Sequence, residues 1–413
     1  MDSIQALNWE DLKKLAPKEI NYAEGPTNSQ ATRRLFGQPE NKIRVTLYRD
    51  NHAWCPYCQK VWLWLEWKKI PYQIKKVTMR CYGNKEEWYL RKVPSGMLPA
   101  VEIDNHLITE SDRILLELEK AYGPLGLPLE DPKSLKLRNL ERQLFRSWCN
   151  WLCYPALIPL QEQKAKQNFH TFARKMEAEI ISTSGPWLDN SLNDITIPGS
   201  TDVIFIPYVE RMNASLAYYK GLNLRKEHPQ IDQWFKALEK LEVYRGTQGD
   251  FHTHAHDLPP QMGGCWKNKS STQKLFSSSI DNGNGLDNQE TSWIDQEKTS
   301  IVKPKIVALG RVLKHRNRLL DLNPIGSKDF DQPLRAALTF MVLEKPCLPN
   351  KGTALGLRYL RDRISVPRDM PLLAARELRK ALETTAYNDG LEEGPPISTR
   401  NRFDQDPKPF RNI

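Results

Sequence analysis

The chain has no apolar run long enough to cross a bilayer, so no membrane span is expected. Its opening, Met1-Asp2-Ser3-Ile4-Gln5, lacks the Arg-rich or hydrophobic character of a targeting peptide, which leads us to expect a cytoplasmic protein. Cysteine is sparse: seven in 413 residues, an odd number without regular spacing, do not make a disulfide framework. No second Cys-x-x-Cys exists to complete a four-thiolate zinc site, so the redox reading of the pair leads and we expect no metal. No known RNA- or DNA-binding motif accompanies the net charge of +10, so nucleic acid is not an expected partner.

What is present divides the chain. At this length two or three domains are expected, with the remainder as linker and tail. Residues 1–41 are polar, broken by Pro17, Gly25, Pro26 and Pro39, and read as an arm lying on something else. From 42 to 122 strand and helix patterns alternate as in a small α/β unit. Strands are expected at Ile43–Tyr48 and Tyr72–Val77, and Asp104-Asn105 between Ala100–Ile103 and His106–Ile108 is a hairpin signal. Residues 133–245 keep a helical period through Leu137, Leu140, Leu144, Trp148 and Trp151, and again through Ile231, Trp234, Phe235 and Leu238. Residues 246–300 read as loop and Ser/Asn-rich linker, 301–388 as a mostly helical extension, and 389–413 as tail.

The stretch richest in chemistry is Trp54-Cys55-Pro56-Tyr57-Cys58, between the first strand and a helix whose apolar positions Cys58, Val61, Trp62 and Leu65 define one buried face. Pro56 suits the first helical position, which puts Cys55 at the cap, facing free N–H groups and the positive end of the helix dipole. Such a place favours a thiolate. Cys58, one turn further on, either resolves a mixed disulfide or merely packs. His252, His254 and His256 would face one way in an extended segment near Cys265, but no second ligand spacing accompanies them, and packing is the better reading. Cys149 and Cys153, one turn apart beside Trp148 and Trp151, read as helix core.

The unit around the motif resembles the thioredoxin-like N-terminal domain of the glutathione transferase superfamily, and Cys-Pro-Tyr-Cys is the active sequence of dithiol glutaredoxins. Val93-Pro94-Ser95-Gly96-Met97-Leu98-Pro99 is similar to the family's Asn-Pro-x-Gly-x-Val-Pro segment. That resemblance makes Pro99 the cis-proline and Leu98 the residue whose backbone pairs with the glutathione cysteinyl group. It also makes Glu110-Ser111 the pair that grips the γ-glutamyl end, and Lys85 a glutathione ligand of the omega-class kind. Gly199-Ser200-Thr201-Asp202 is similar to the transferase capping box, with glycine where a Ser or Thr is usual. The match covers about 42–245, and Arg358–Met370 resembles a stretch of C-terminally extended members from cyanobacteria and chloroplasts.

The resemblance implies a thioredoxin-like α/β domain, an all-helical transferase domain and a helical extension. It implies a glutathione-dependent thiol transferase in which Cys55, with or without Cys58, reduces disulfides or glutathionylated substrates, glutathione serving as co-substrate. Conjugation of glutathione to electrophiles is the alternative enzyme, and a scaffold docking a protein partner through its extension the alternative class. A homodimer is compatible with either.

Overall fold

The computed structural model describes residues 3–17, 21–183, 185–189, 197–283, 286, 303–389 and 402–410. Of the expected linker and tail, 284–285, 287–302, 390–401 and 411–413 lie outside the described residues.

The α/β unit is a five-stranded sheet in the order β1-β3-β2-β4-β5, built from Arg33–Arg34 (β1), Val45–Asp50 (β2), Tyr72–Val77 (β3), Ala100–Ile103 (β4) and His106–Thr109 (β5). β2 and β3 run parallel; every other neighbour is antiparallel. The crossover between the parallel pair is the helix Pro56–Trp67 (α2), and Ser111–Tyr122 (α4) follows β5. Asp104 and Asn105 both take positive φ, 48° and 68°, which closes the β4–β5 hairpin with the strand twist it needs. The expected arm contributes β1 at the sheet edge and the short helix Trp9–Lys14 (α1); Glu87–Lys92 (α3) lies between β3 and β4.

Helices carry the rest. Pro132–Cys153 (α5), Pro159–Ser182 (α6), Ser200–Lys220 (α7), Leu224–Glu227 (α8), Pro229–Glu239 (α9) and Glu242–Thr247 (α10) form the second unit. Gly199 is the N-cap of α7, and a Cβ there would fall 2.5 Å from Asp189 Oδ2. The missing Ser or Thr is thus replaced by room for Asp189, whose carboxylate accepts the Leu127 N–H at 2.7 Å. Asp202 is fully buried and accepts from the Leu188 N–H (3.0 Å) and the Trp234 indole (2.8 Å).

The interval read as loop and linker instead holds two helices, Phe251–Met262 (α11) and Ser271–Asp281 (α12). Asp250 caps α11 through the Thr253 N–H at 2.9 Å, a cap signal hidden by two prolines inside the helix. The extension is Pro304–Asp321 (α13), Ser327–Leu343 (α14), Ala354–Arg363 (α15) and Leu372–Tyr387 (α16). Its apolar core is separate from the one shared by the sheet and α5–α12, and Leu12 of the arm belongs to it.

The extension is seated on α11 by buried polar contacts. Arg379 of α16 pairs with Asp250 and donates to the Ile364 carbonyl at 2.7 Å; both charged side chains are sealed from solvent. Arg402 lies 3.3 Å from Asp257, and the Val366 N–H donates to Thr253 Oγ1 at 3.0 Å. Arg358, Arg361 and Arg368 of the extension pair with Glu383, Asp362 and Asp369.

Replacing Arg379 with Met would leave Asp250 buried without its cation, at an expected cost of about 3–5 kcal/mol near neutral pH. Urea unfolding measures it. Burial raises the Asp250 carboxyl, but Arg379 and the Thr253 bonds outweigh it and hold the group below its usual value. A depressed folded pKa means stability present above the ordinary aspartate range and lost as pH falls through the folded value. The gap between wild type and Arg379→Met is therefore expected to be full near neutrality and to shrink in acid.

Candidate active site at the cap of α2

Sheet register brings the separated motifs together. Asp50 ends β2 and is paired with Val77, and Tyr48 is paired with Ala100. Running β2 on by two residues and β4 back by two places Leu98-Pro99 across from Asp50, at the end of the sheet where Trp54-Cys55 follows. Ala100 is paired in turn with Thr109, so Glu110-Ser111 comes beside the same corner. Lys85 reaches it from the loop after β3, its Nζ 3.1 Å from the Thr78 carbonyl. All the sequence-predicted glutathione residues thus gather at one end of one sheet.

Cys55 is the N-cap of α2 and Pro56 the first helical residue; Cys55 is only 7% exposed. Behind it the Trp54 N–H donates to Asp50 Oδ2 at 2.7 Å. On the other side Arg211 of α7 donates through Nη2 to the Trp54 carbonyl and through Nη1 to Gln59 Oε1 (2.9 Å) and the Pro207 carbonyl (2.5 Å). Its guanidinium also lies 4.7 Å from the Trp54 ring centroid. Asp50 and Arg211 are the residues that sequence reasoning missed. Asp50 stands just ahead of the motif, and Arg211 follows Glu210 in the middle of α7; neither is a signal without the fold.

The two thiols are unequal. Cys58 is fully buried, and burial followed by its hydrogen bond to Cys55 pushes its thiol well above the usual range, with Asp50 adding to the effect. It therefore stays protonated and donates to the Cys55 sulfur. Burial lowers the Lys85 ammonium, while Cys58, Asp50 and Cys55 favour its charged form. Tyr89, whose hydroxyl donates to the Met97 carbonyl at 2.5 Å, ties α3 to the segment before Pro99.

The Leu98–Pro99 peptide is cis, and Leu98 is half-buried. Glu110 takes φ 67° as the cap of α4, a costly conformation for a side-chain residue, and presents an exposed carboxylate beside the buried Ser111. Asp112, one residue on, pairs with Lys60 of α2 at 2.7 Å and so fixes α4 against the cysteine helix.

Among the described residues, Asp50, Cys55 and Cys58 form the group able to hold a metal, their ligand atoms lying within 4.8 Å of one another. Two of the three histidines, His252 and His256, lie together with ring centroids 4.6 Å apart, and His254 turns to a different partner. The segment is helical, not extended, so His254 bonds Glu210 (2.7 Å), His256 bonds Asp281 (2.8 Å) and His252 lies 3.9 Å from Asp362. Cys81 contacts Gln261, and burial with Asp257 and Asp50 nearby pushes its thiol up to about 12.

Residues 54–121 match the family model described as glutathione S-transferase, N-terminal domain. Glutathione S-transferase omega-1 of Rattus norvegicus is 33% identical over 216 residues, 50% of this chain and 80% of that protein. The chloroplastic glutathione S-transferase DHAR3 of Arabidopsis thaliana is 26% identical over 198 residues, 48% of this chain and 69% of that protein. Among solved structures, glutathione transferase Omega 3C from Trametes versicolor is 25% identical, covering 50% of this chain and 90% of its own, with a TM-score of 0.41.

Removing the Arg211 fork is expected to unsettle the Cys55 cap. Arg211→Met is predicted to lower stability by about 3 kcal/mol, since it strands the buried Trp54 carbonyl and Gln59 amide oxygen. Urea unfolding monitored by tryptophan fluorescence gives the value, and hydrogen exchange at the first turn of α2 is expected to accelerate.

Proposed function

The chain belongs to the glutathione S-transferase superfamily, and from that membership we propose that it is a glutathione-dependent thiol transferase acting on glutathionylated or other disulfide substrates. The observation that carries this reading is the inequality of the two thiols at the α2 cap: one belongs to the N-cap residue, and the other is sealed inside the helix, pushed up by burial and hydrogen-bonded to it.

In the proposed cycle the Cys55 thiolate attacks the glutathione sulfur of a mixed disulfide, and the substrate thiolate leaves. A second glutathione thiolate attacks the Cys55–glutathione bond, releasing glutathione disulfide and restoring the Cys55 thiolate. Cys58 is poorly placed to compete, because burial holds it protonated. Lys85 is assigned to a glutathione carboxylate, Glu110 to the ammonium and Ser111 to the γ-glutamyl carboxylate through its hydroxyl and the free amide at the start of α4. The Leu98 backbone beside Pro99 is assigned to the cysteinyl group. A cysteine at this place favours reduction over conjugation, since a covalent mixed disulfide competes with activation of glutathione's own thiol.

Turnover of a glutathione mixed disulfide tests the reading. Wild type is expected to be active, Cys55→Ser to fall by about a hundredfold or more, as when a nucleophile is removed, and Cys58→Ser to keep most of the rate. Activity retained by Cys55→Ser would sink the assignment. Lys85→Met is expected to raise the KM for glutathione roughly tenfold, the equivalent of one lost charge-assisted hydrogen bond of about 1.5 kcal/mol.

A further inference from the structure

Three more cysteines meet in one patch away from the α2 cap. Cys149 and Cys153 lie one turn apart at the C-terminal end of α5, and Cys265 follows α11. The Trp266 N–H donates to the Leu152 carbonyl at 2.9 Å, holding the two segments side by side. Cys153 is the centre of the group: its sulfur is hydrogen-bonded to the thiols of both Cys149 and Cys265. None of the three is sealed from solvent, and the neighbouring Tyr154 and Trp266 are exposed.

Two S–H donors on one sulfur favour its anionic form. Lys220 of α7 faces the same group, its Nζ 3.2 Å from Glu162. The C-terminal end of α5 and partial burial oppose a thiolate. The two thiol bonds, from Cys149 and then Cys265, outweigh burial and with Lys220 bring Cys153 down to about 4, while the same bonds raise Cys149 and Cys265 and keep them protonated. The arrangement supplies one nucleophilic sulfur and two neutral thiols in contact with it.

We propose that Cys153 is a second redox-active cysteine, oxidised by hydrogen peroxide and resolved by Cys265 into a disulfide that staples the end of α5 to the segment after α11. The Cys153 sulfur attacks one peroxide oxygen; the O–O bond breaks, leaving a sulfenic acid and a hydroxide that takes a proton to become water. Cys265 gives up its proton, its sulfur attacks that of Cys153, and the displaced hydroxide leaves as a second water. Two thiols lose two electrons and one peroxide gains them.

Cys265 is the resolving partner because its segment can adjust. Gly263 and Gly264, at φ 79° and 142°, lead into it with open space around them, whereas Cys149 is fixed on the same helix as its target.

Competitive alkylation of the wild-type full chain at mildly acid pH, read by fragment-ion sequencing of the tryptic peptides so that Cys149 and Cys153 are told apart, is the first measurement. Cys153 is expected to react roughly tenfold or more faster than Cys149 or Cys265, as a thiolate among thiols. Equal rates would overturn the proposal. Peroxide treatment followed by non-reducing tryptic mapping is the second. Because Cys149 and Cys153 share the tryptic peptide 147–164, the Cys149→Ser variant carries the assignment. A linkage of 147–164 to 246–267 is expected in wild type and in Cys149→Ser, and its loss in Cys153→Ser. Absence of that linkage in wild type, or its persistence in Cys153→Ser, would refute the assignment, and mapping separates it from any Cys55–Cys58 bond.

Discussion

The backbone of Trp54 is held from both sides, its N–H by Asp50 and its carbonyl by Arg211, and the position of Cys55 follows from that grip. Asp50 belongs to the sheet and Arg211 to the helical unit. The cap of α2 is therefore not a feature of the thioredoxin-like unit alone; it is set at the seam between two units. Burial makes the grip strong, since a charged donor inside the protein loses little to water and an unpaired one would cost several kcal/mol. A cysteine on a loop with the same sequence but no Arg211 behind it would have a less defined direction of approach.

The same logic explains why α2 is buried on every face from Cys58 to Trp67. Its apolar stripe meets the core as expected, and the opposite side carries Gln59, Lys60 and Glu66, each with a partner. Gln59 goes to Arg211, Lys60 to Asp112, and Glu66 accepts from Arg34 (2.9 Å), Thr27 (2.7 Å) and Tyr72 (2.6 Å). Through Glu66 the arm is attached to the far end of the helix that carries the cysteines. The extension connects by a parallel route: α16 to Asp250 of α11, His254 of α11 to Glu210 of α7, and then the adjacent Arg211 to Trp54.

How far this could be read in advance depended on whether the determinants were local. Strand β3, the hairpin at Asp104-Asn105, the proline-started α2 and the helix Leu372–Tyr387 rest on periodicity and turn chemistry within a few residues, and these were legible. One buried face on α2 was also correct but incomplete, because the second face is covered by the arm, β3, α4 and α7, which meet it only after folding. The segment 251–262 was misread as a loop: two prolines, three histidines and no clear stripe concealed a helix whose His254, His256 and Asp257 are met by Glu210, Asp281 and Arg402. Of the candidate site, the cysteines came from their place before a helix, and Lys85, Leu98, Pro99, Glu110 and Ser111 from the family resemblance. Asp50 and Arg211 could not, since each matters only through a contact made after folding.

The two cysteine groups show that a helix terminus alone does not decide which sulfur is poised to react. Cys55 stands at a helix start and Cys153 at a helix end, so the two sulfurs sit at opposite ends of their helix dipoles. What they share is a neighbouring thiol that stays neutral and donates its proton to them: Cys58 to the first, Cys149 and Cys265 to the second. Spacing accounts for the difference in reach. Cys58 lies one turn into the same helix and is sealed, whereas Cys265 arrives from another segment behind two glycines and can move toward its partner. A cysteine pair read from sequence spacing alone would therefore rank Cys55–Cys58 as the redox couple and overlook Cys153–Cys265, whose contact exists only because α11 is a helix that returns the chain to the end of α5.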